Sequence, residues 1–259
     1  MTPEQARALV DDYQARLKRC VPWNPATKWA PQLQFRGDTY AVRELFAGVV
    51  ASAVPVDRLE PGQFVDSPRG SFRYCVRLHP RGTPLLTWWG PEVGTVIFDD
   101  DVMIPALYER RPADDPGTGV WNETPWMSLT PAELMTLRPG TRLAKGRVVI
   151  AGLGLGHQLI EVSKRLTVKR IVLIERNQEL VDWIMPVLRP HVRKPLEVVV
   201  GDAYEILPTL QADVALVDIF PSYGDGFRQM PQLAARCSGI KKMWGWGTSE
   251  MTGLRQRDI

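Results

Sequence analysis

A chain of 259 residues with 44% hydrophobic and 24% charged residues has the composition of a soluble globular protein with one large domain or two smaller ones. Its formal net charge of +3 comes without a run of Lys or Arg, which argues against nucleic acid as a partner. The three cysteines are too far apart for a zinc site or a disulfide framework, and no apolar run is long enough to span a bilayer. We therefore expect a cytoplasmic protein with no membrane partner and no metal.

The first 126 residues predict a helical region followed by a small antiparallel sheet. One helix is expected to open at Pro3, and a second is expected to begin at Asp38 and end at Pro55. Between Ser71 and Glu109 the chain alternates roughly with period two, and Gly and Pro separate the segments, as in short strands. The acidic run 99–101 predicts a solvated turn, because no other metal-ligand spacing accompanies it.

Residues 127–259 predict a Rossmann-like, doubly wound and mostly parallel α/β sheet. A capping box from Thr130 to Glu133, with Leu129 and Leu134 as a hydrophobic staple, indicates a helix. From Arg147 onward, short apolar strands alternate with amphipathic helices, which favours a parallel sheet. The expected strand order is 3-2-1-4-5, with the fifth strand within 241–246.

A glycine-rich loop, Gly152-Leu153-Gly154-Leu155-Gly156, lies between the first predicted strand and a helix. Glycines there permit a tight turn and the close approach of a ligand to the backbone. His157 stands where the nicotinamide fingerprint requires glycine, and no phosphate-binding lysine follows. The loop therefore argues against NAD and against a nucleotide-cleaving P-loop, although a tight turn in any α/β protein would have similar glycines.

Three acidic residues follow three successive predicted strands of the sheet. Glu175 ends the second strand, Asp202 follows the third, and Asp218 ends the fourth. Ligands of open parallel sheets bind outside the carboxyl ends of the strands, so these acids should line one crevice. A carboxylate at Glu175 can accept hydrogen bonds from both ribose hydroxyls, and one at Asp202 from an adenine amino group. Each acid alone could equally be a helix cap or a surface charge.

Over residues 127–247 the chain resembles the class I S-adenosylmethionine-dependent methyltransferases, and within them the spermidine synthase-like group. The resemblance comes from the loop 148–156, the pair Ile174-Glu175, the motif 201–203 and the pair Val217-Asp218. It implies S-adenosylmethionine or its decarboxylated form as the cofactor, and Asp218 and Tyr223 as catalytic residues. The cofactor-binding residues that it implies are Gly152, Leu153, Gly154, Gly156, Glu175, Arg176, Asp202 and Ala203.

Two departures from that group leave the acceptor open. Pro221 stands where polyamine synthases have a second acid, and only residues 248–259 follow the fifth predicted strand. The leading hypothesis is a methyltransferase with a small-molecule or protein acceptor. The alternatives are an aminopropyltransferase and a non-catalytic binding or assembly protein.

Packing and assembly give the remaining expectations. His157 is interpreted as a helix-start residue, and Trp244 and Trp246 as packing against the sheet. The edge at strand five should be covered by the N-terminal region or by a second subunit in a homo-oligomer.

Overall fold

The computed structural model describes residues 22–23, 46, 48–83, 85–89, 92–96, 102–111, 121–122, 124–220 and 225–248. The helix predicted at Pro3, the acidic turn 99–101 and the loop 221–224, which includes Tyr223, lie outside these residues. The helix predicted to end at Pro55 is wrong over its described part, because 48–55 contains no helix. Its main chain is used elsewhere: Ser52 N–H donates to the Val76 carbonyl (2.9 Å), and the Ser52 carbonyl accepts from Leu78 N–H (3.1 Å).

The N-terminal half forms two small sheets rather than the single one predicted. Their strands, in chain order, are β1 (Pro22–Trp23), β2 (Phe64–Asp66), β3 (Phe72–His79), β4 (Leu85–Trp89), β5 (Glu92–Val96), β6 (Val102–Glu109) and β7 (Met127–Ser128). One sheet has the order β1-β5-β4 and the other the order β2-β3-β6-β7. The second sheet is antiparallel throughout, with β3 and β6 paired along their full length.

The C-terminal half is the predicted parallel sheet. It contains strands β8 (Gly146–Ala151), β9 (Val168–Glu175), β10 (Leu196–Val200), β11 (Val214–Val217) and β12 (Met243–Gly245). Their spatial order is β10-β9-β8-β11-β12, with every neighbouring pair parallel, which confirms the predicted order 3-2-1-4-5. Within the described residues, β12 has a strand neighbour on one side only.

Five α-helices accompany the described strands. They are α1 (Pro131–Leu143), α2 (His157–Lys164), α3 (Gln178–Leu188), α4 (Ala203–Ile206) and α5 (Asp225–Arg236). Short 3-10 turns cover Val56–Arg58, Arg189–His191 and Leu207–Thr209. α2, α3 and α4 follow β8, β9 and β10 in turn, which confirms the predicted alternation of strands and helices.

Apolar side chains cover both faces of the parallel sheet. Val148 and Ile150 of β8 belong to one buried cluster, and Val149 and Ala151 of the same strand belong to another. Because side chains alternate across a strand, a strand buried on both faces reads as a continuous apolar run. This burial fixes the sheet and leaves its strand ends to carry polar groups.

Candidate functional site

The glycine loop brings the ends of β8 and β11 into direct contact. Gly152 has φ +103°, and a Cβ atom there would overlap the carbonyl oxygen of Asp218. Gly152 N–H donates to the Ile174 carbonyl (2.9 Å), and Asp218 N–H donates to the Ala151 carbonyl (2.9 Å). Only glycine combines this conformation with this approach. The main chain of Asp218 therefore lies directly against Gly152, the first residue of the glycine loop.

Glu175 holds the glycine loop in place. Its side chain is buried, and its Oε2 accepts from Leu153 N–H (2.9 Å) while its Oε1 accepts from Asn177 N–H (3.0 Å). An ionised carboxylate has about four lone-pair sites, so both oxygens keep capacity for ligand hydroxyl groups. Glu175 thus stabilises the loop and still faces the cavity.

Asp202 and Arg176 lie near the surface of the same site. Asp202 is exposed and caps α4, with its Oδ1 accepting from Tyr204 N–H (2.8 Å), while Ala203 behind it is buried. The Arg176 guanidinium lies 3.8 Å from Glu109 and remains largely exposed. These positions form the rim of the site rather than its floor.

A cavity of about 560 Å³ joins the predicted residues. Its lining includes eight of the sequence-predicted positions: Gly152, Leu153, Gly154, Glu175, Arg176, Asp202, Ala203 and Asp218. Gly156 does not line it; with φ +80° it caps α2, and a Cβ there would overlap Leu188. Tyr223 lies outside the described residues. A drug-sized ligand fits a cavity of this volume.

Asp218 follows β11, which lies on the other side of β8 and its glycine loop from Glu175 and Asp202. Its carboxylate accepts no hydrogen bond from the described residues, and burial raises its pKa from the ordinary 3.8 to about 7. A carboxyl group with this pKa exchanges protons near neutrality, as a general base requires.

Glu133 is one of the cavity residues that sequence reasoning missed. It lines the same cavity, and its Oε2 accepts from both Ser128 N–H (2.9 Å) and Ser128 Oγ (2.8 Å). The pKa of Glu133 is raised from the ordinary 4.5 to about 8. Burial is the main cause and the charge of Asp218 adds to it, while the hydrogen bonds from Ser128 oppose the shift. The capping-box prediction is therefore half right. Thr130 Oγ1 accepts from Glu133 N–H (3.4 Å), but the Glu133 carboxylate turns to Ser128 instead of back to the cap.

Gln158 adds a neutral polar group at the start of α2. Its side chain is 6% exposed and lines the cavity, and neither amide atom has a hydrogen-bond partner among the described residues. A buried amide without partners costs free energy unless a ligand or water satisfies it. The sequence signal that could have identified Gln158 is a polar residue at the second position of an otherwise apolar helix.

Trp244, in β12, and Trp246, directly after it, have different surroundings. Trp244 is fully buried and packs against Gly140 of α1, as predicted. Trp246 instead lines the cavity, and its Nε1–H donates to Thr136 Oγ1 (3.1 Å), so the packing interpretation is incomplete for it. His157 is the first residue of α2 and does not line the cavity, as expected of a helix-start residue.

The described part of the chain lacks both a membrane-spanning helix and a cluster of metal ligands. It has no helix of the length and hydropathy needed to cross a membrane. It also has no group of three or more His, Cys, Asp or Glu side chains placed to hold a metal ion.

No protein-family model and no curated protein matches this chain. Among solved structures, a precorrin-8w decarboxylase from Methanobacterium thermoautotrophicum is 24% identical over 42% of this chain and 57% of its own, with a TM-score of 0.33. A precorrin-6y C5,15-methyltransferase from Geobacter metallireducens is 21% identical over 44% and 62%, with a TM-score of 0.34. The O-methyltransferase TomG from Streptomyces achromogenes, in complex with SAM, is 23% identical over 40% and 49%, with a TM-score of 0.31.

The matched region thus spans less than two thirds of each of these structures. With every TM-score below 0.5, the similarities carry no conclusion about function, which depends on the residues of this cavity.

Proposed function

We propose that this protein is an S-adenosylmethionine-dependent methyltransferase. The observation that carries the proposal is the cavity itself. It has the glycine loop and two strand-end carboxylates, Glu175 and Asp202, on one side, and a carboxyl group that titrates near neutrality, Asp218, on the other. Rossmann-like sheets bind nucleosides at this edge, where the strands end.

The residues present fit an adenosyl ligand. Glu175 has acceptor capacity for ribose hydroxyls, and the free oxygen of Asp202 can accept from an adenine amino group. Leu153, Gly154 and Ala203 supply the main chain and small side chains against which a base and ribose can lie. Arg176 is available at the rim. The unpartnered amide of Gln158 offers both a donor and an acceptor to a polar tail.

When bound, S-adenosylmethionine supplies a methyl group on a sulfonium sulfur that takes the electron pair of the broken C–S bond. The protein's contribution is then orientation and proton handling. Asp218, once ionised, can accept the proton that the acceptor atom must lose. Leu137 and Phe220 contribute apolar side chains to the same cavity. Tyr223 is retained as a second catalytic candidate from the sequence.

Aminopropyl transfer from decarboxylated S-adenosylmethionine is the second candidate, and one observation favours it. Pro221 removes the second acid that the sequence pattern called for, but Glu133 brings another carboxyl group into the same cavity from α1. A cationic aminopropyl chain would find two acids there. The cytoplasmic location, the small-molecule or protein acceptor and the homo-oligomer remain predictions.

The test is calorimetric titration of the full chain with S-adenosylmethionine, its decarboxylated form, methylthioadenosine and NAD. We expect S-adenosylmethionine to bind more tightly than NAD and methylthioadenosine. Tighter binding of NAD would overturn the assignment, and tighter binding of the decarboxylated form would favour aminopropyl transfer. Binding without transfer of a labelled methyl group to any cell extract would favour the non-catalytic alternative.

A further inference from the structure

The amino ends of the parallel strands lie at the end of the sheet opposite the cavity. β8 has six residues, and a strand advances about 3.3 Å per residue, so this end is about 20 Å from the glycine loop. Six cationic side chains there are exposed or half-exposed and form no ion pair with a described residue: Arg142, Lys145, Lys169, Arg193, Lys194 and Lys242. We call these six residues the basic face. They come from separate stretches of the chain, so the sequence shows no charged run.

The acidic side chains near the basic face are already paired with other cations. The pairs are Asp213 with Lys241 (2.7 Å), Glu197 with Arg170 (3.5 Å) and Glu161 with Lys164 (2.5 Å). The hydrogen bonds from Lys241 and from Arg147 N–H, together with the charge of Lys169, hold the pKa of Asp213 below its ordinary value. The described residues therefore leave the charges of the basic face uncompensated.

Helix ends do not account for the basic face. Cations often stabilise the C-terminus of a helix, and the end of α1 already has such donors. Arg165 donates from Nε to the Ala144 carbonyl (3.1 Å) and from Nη2 to the Arg142 carbonyl (2.8 Å), and Thr167 Oγ1 also donates to Ala144 (3.1 Å). Of the basic face, only Arg142 belongs to a helix, and the other five residues lie in loops or at the start of a strand.

An exposed leucine lies among these cations. Leu166, between α2 and β9, is 96% exposed, whereas no other large hydrophobic side chain of the described residues exceeds 62%. Arg165 precedes it directly, and Lys169 follows three positions later. An anionic bilayer accepts both kinds of group, because its headgroups attract cations and its acyl boundary takes up apolar side chains. A nucleic-acid backbone would also neutralise the cations, but its phosphates have no contact to offer a leucine.

We propose that the basic face and Leu166 bind the surface of an anionic phospholipid bilayer, with Leu166 entering the boundary between headgroups and acyl chains. The cavity lies at the carboxyl ends of the same strands, so it points away from the bilayer and stays open to solvent. This inference does not depend on the proposed function. It departs from the expectation of no membrane partner, because that expectation considered only segments long enough to span a bilayer.

The test is cosedimentation of the full chain with phosphatidylcholine vesicles, with and without phosphatidylserine, at low and high salt. We expect binding only where phosphatidylserine is present, with each cation near the surface strengthening it by about fivefold. High salt should weaken the binding, because exposed charges are screened. Equal binding to both kinds of vesicle, or binding to neither, would overturn the inference. Release of the protein by a single-stranded RNA homopolymer at equal charge concentration would also overturn it and assign the basic face to nucleic acid.

Matched charge variants separate the basic face from the net charge of the chain. The double variant Arg142→Gln/Arg193→Gln should weaken binding to the phosphatidylserine vesicles by about tenfold or more. The double variant Arg58→Gln/Arg228→Gln makes the same charge change at exposed arginines elsewhere and should leave binding unchanged. An equal loss of binding in the two double variants would show a general charge effect and overturn the inference.

Leu166→Ser tests the apolar contact by itself. Because the exposed leucine loses its place at the acyl boundary, vesicle binding should weaken by about tenfold with no change in net charge. Val50→Ser removes the second most exposed of these side chains, at 62%, far from the basic face in the sequence, and should have no effect. Parent-like binding of Leu166→Ser would overturn the assignment to a bilayer.

Discussion

The two sides of the cavity handle their carboxylates in opposite ways. On the side of Glu175 and Asp202, main-chain N–H groups already donate hydrogen bonds to each carboxylate and leave part of its acceptor capacity for a ligand. On the side of Glu133 and Asp218, burial raises both carboxyl pKa values, to about 8 and about 7, and for Glu133 it outweighs the hydrogen bonds from Ser128. The first arrangement suits groups that bind a neutral, hydroxyl-rich ligand in a fixed pose, and the second suits groups that exchange protons.

Asp218→Asn would test the proton-exchanging side most strongly. If Asp218 accepts the acceptor's proton, turnover should fall by about 10²–10⁴-fold while the affinity for S-adenosylmethionine stays nearly constant. In the parent protein, kcat/KM should rise with pH through about 7, because the base is protonated below that pH. Steady-state kinetics from pH 5.5 to 9 measure both effects. The exposed Asp182→Asn serves as the matched control, and an equal loss of turnover there would refute the role.

Glu175→Ala would test the side of the cavity where main-chain N–H groups hydrogen-bond to the carboxylates. The change leaves Leu153 N–H and Asn177 N–H without an acceptor, at a cost of about 1–3 kcal/mol each when buried. It should also weaken binding of S-adenosylmethionine by about 10- to 100-fold through the lost hydrogen bonds. Urea unfolding and calorimetry measure the two effects. Glu197→Ala on β10 should change unfolding by less than about 0.5 kcal/mol, and a similar result for Glu175→Ala would contradict this assignment.

The stability of the parent protein should depend on pH in a way that the stability of Glu133→Gln does not. A carboxyl group whose pKa rises from 4.5 to about 8 on folding stabilises the protein below pH 4.5, and this contribution is lost as pH rises through about 8. The parent should therefore lose stability between pH 5 and pH 8.5, by more than about 1 kcal/mol relative to Glu133→Gln. Urea unfolding at both pH values measures the difference. Parallel pH dependence in the two proteins would show that Glu133 ionises normally.

Asp202→Ala should give the smallest effect. It removes the cap of α4, which typically costs about 1 kcal/mol, and with it the acceptor proposed for an adenine amino group. We expect adenosyl-ligand affinity to fall by about tenfold or more, which calorimetry can resolve. Asp202→Asn is the informative companion, because asparagine caps equally well and should restore stability without restoring the charge-assisted bond. Unchanged affinity in both variants would exclude Asp202 from the site.

The part of the site that the sequence predicted depends on short-range patterns. Strand and helix periods gave the sheet order, and the glycine loop and strand-end acids follow from their positions along single strands. Such features can be predicted because each depends on residues that are close together in the sequence.

The missed residues depend on contacts between elements. Glu133 belonged to a recognisable capping box, and only the folded structure shows its carboxylate turning to Ser128 and facing Asp218, 85 positions away in the numbering. Trp246 was likewise taken as packing because its position beside α1 is set by the hydrogen bond to Thr136. The division into two N-terminal sheets was missed because strand propensity does not determine partners.

Met127 has a consequence for how separable the two halves of the chain are. It belongs to β7, which pairs with β6, and its sulfur accepts from Leu155 N–H (2.9 Å) and occupies the space beside Gly154. Phe72 of β3 and Glu109 of β6 also line the cavity. A fragment beginning at residue 127 would keep every residue of the glycine loop. It would lose β6, the strand whose pairing with β7 holds the Met127 sulfur against that loop. The N-terminal sheet therefore contributes directly to the structure of the site, and it could not be replaced without altering the glycine loop and the cavity.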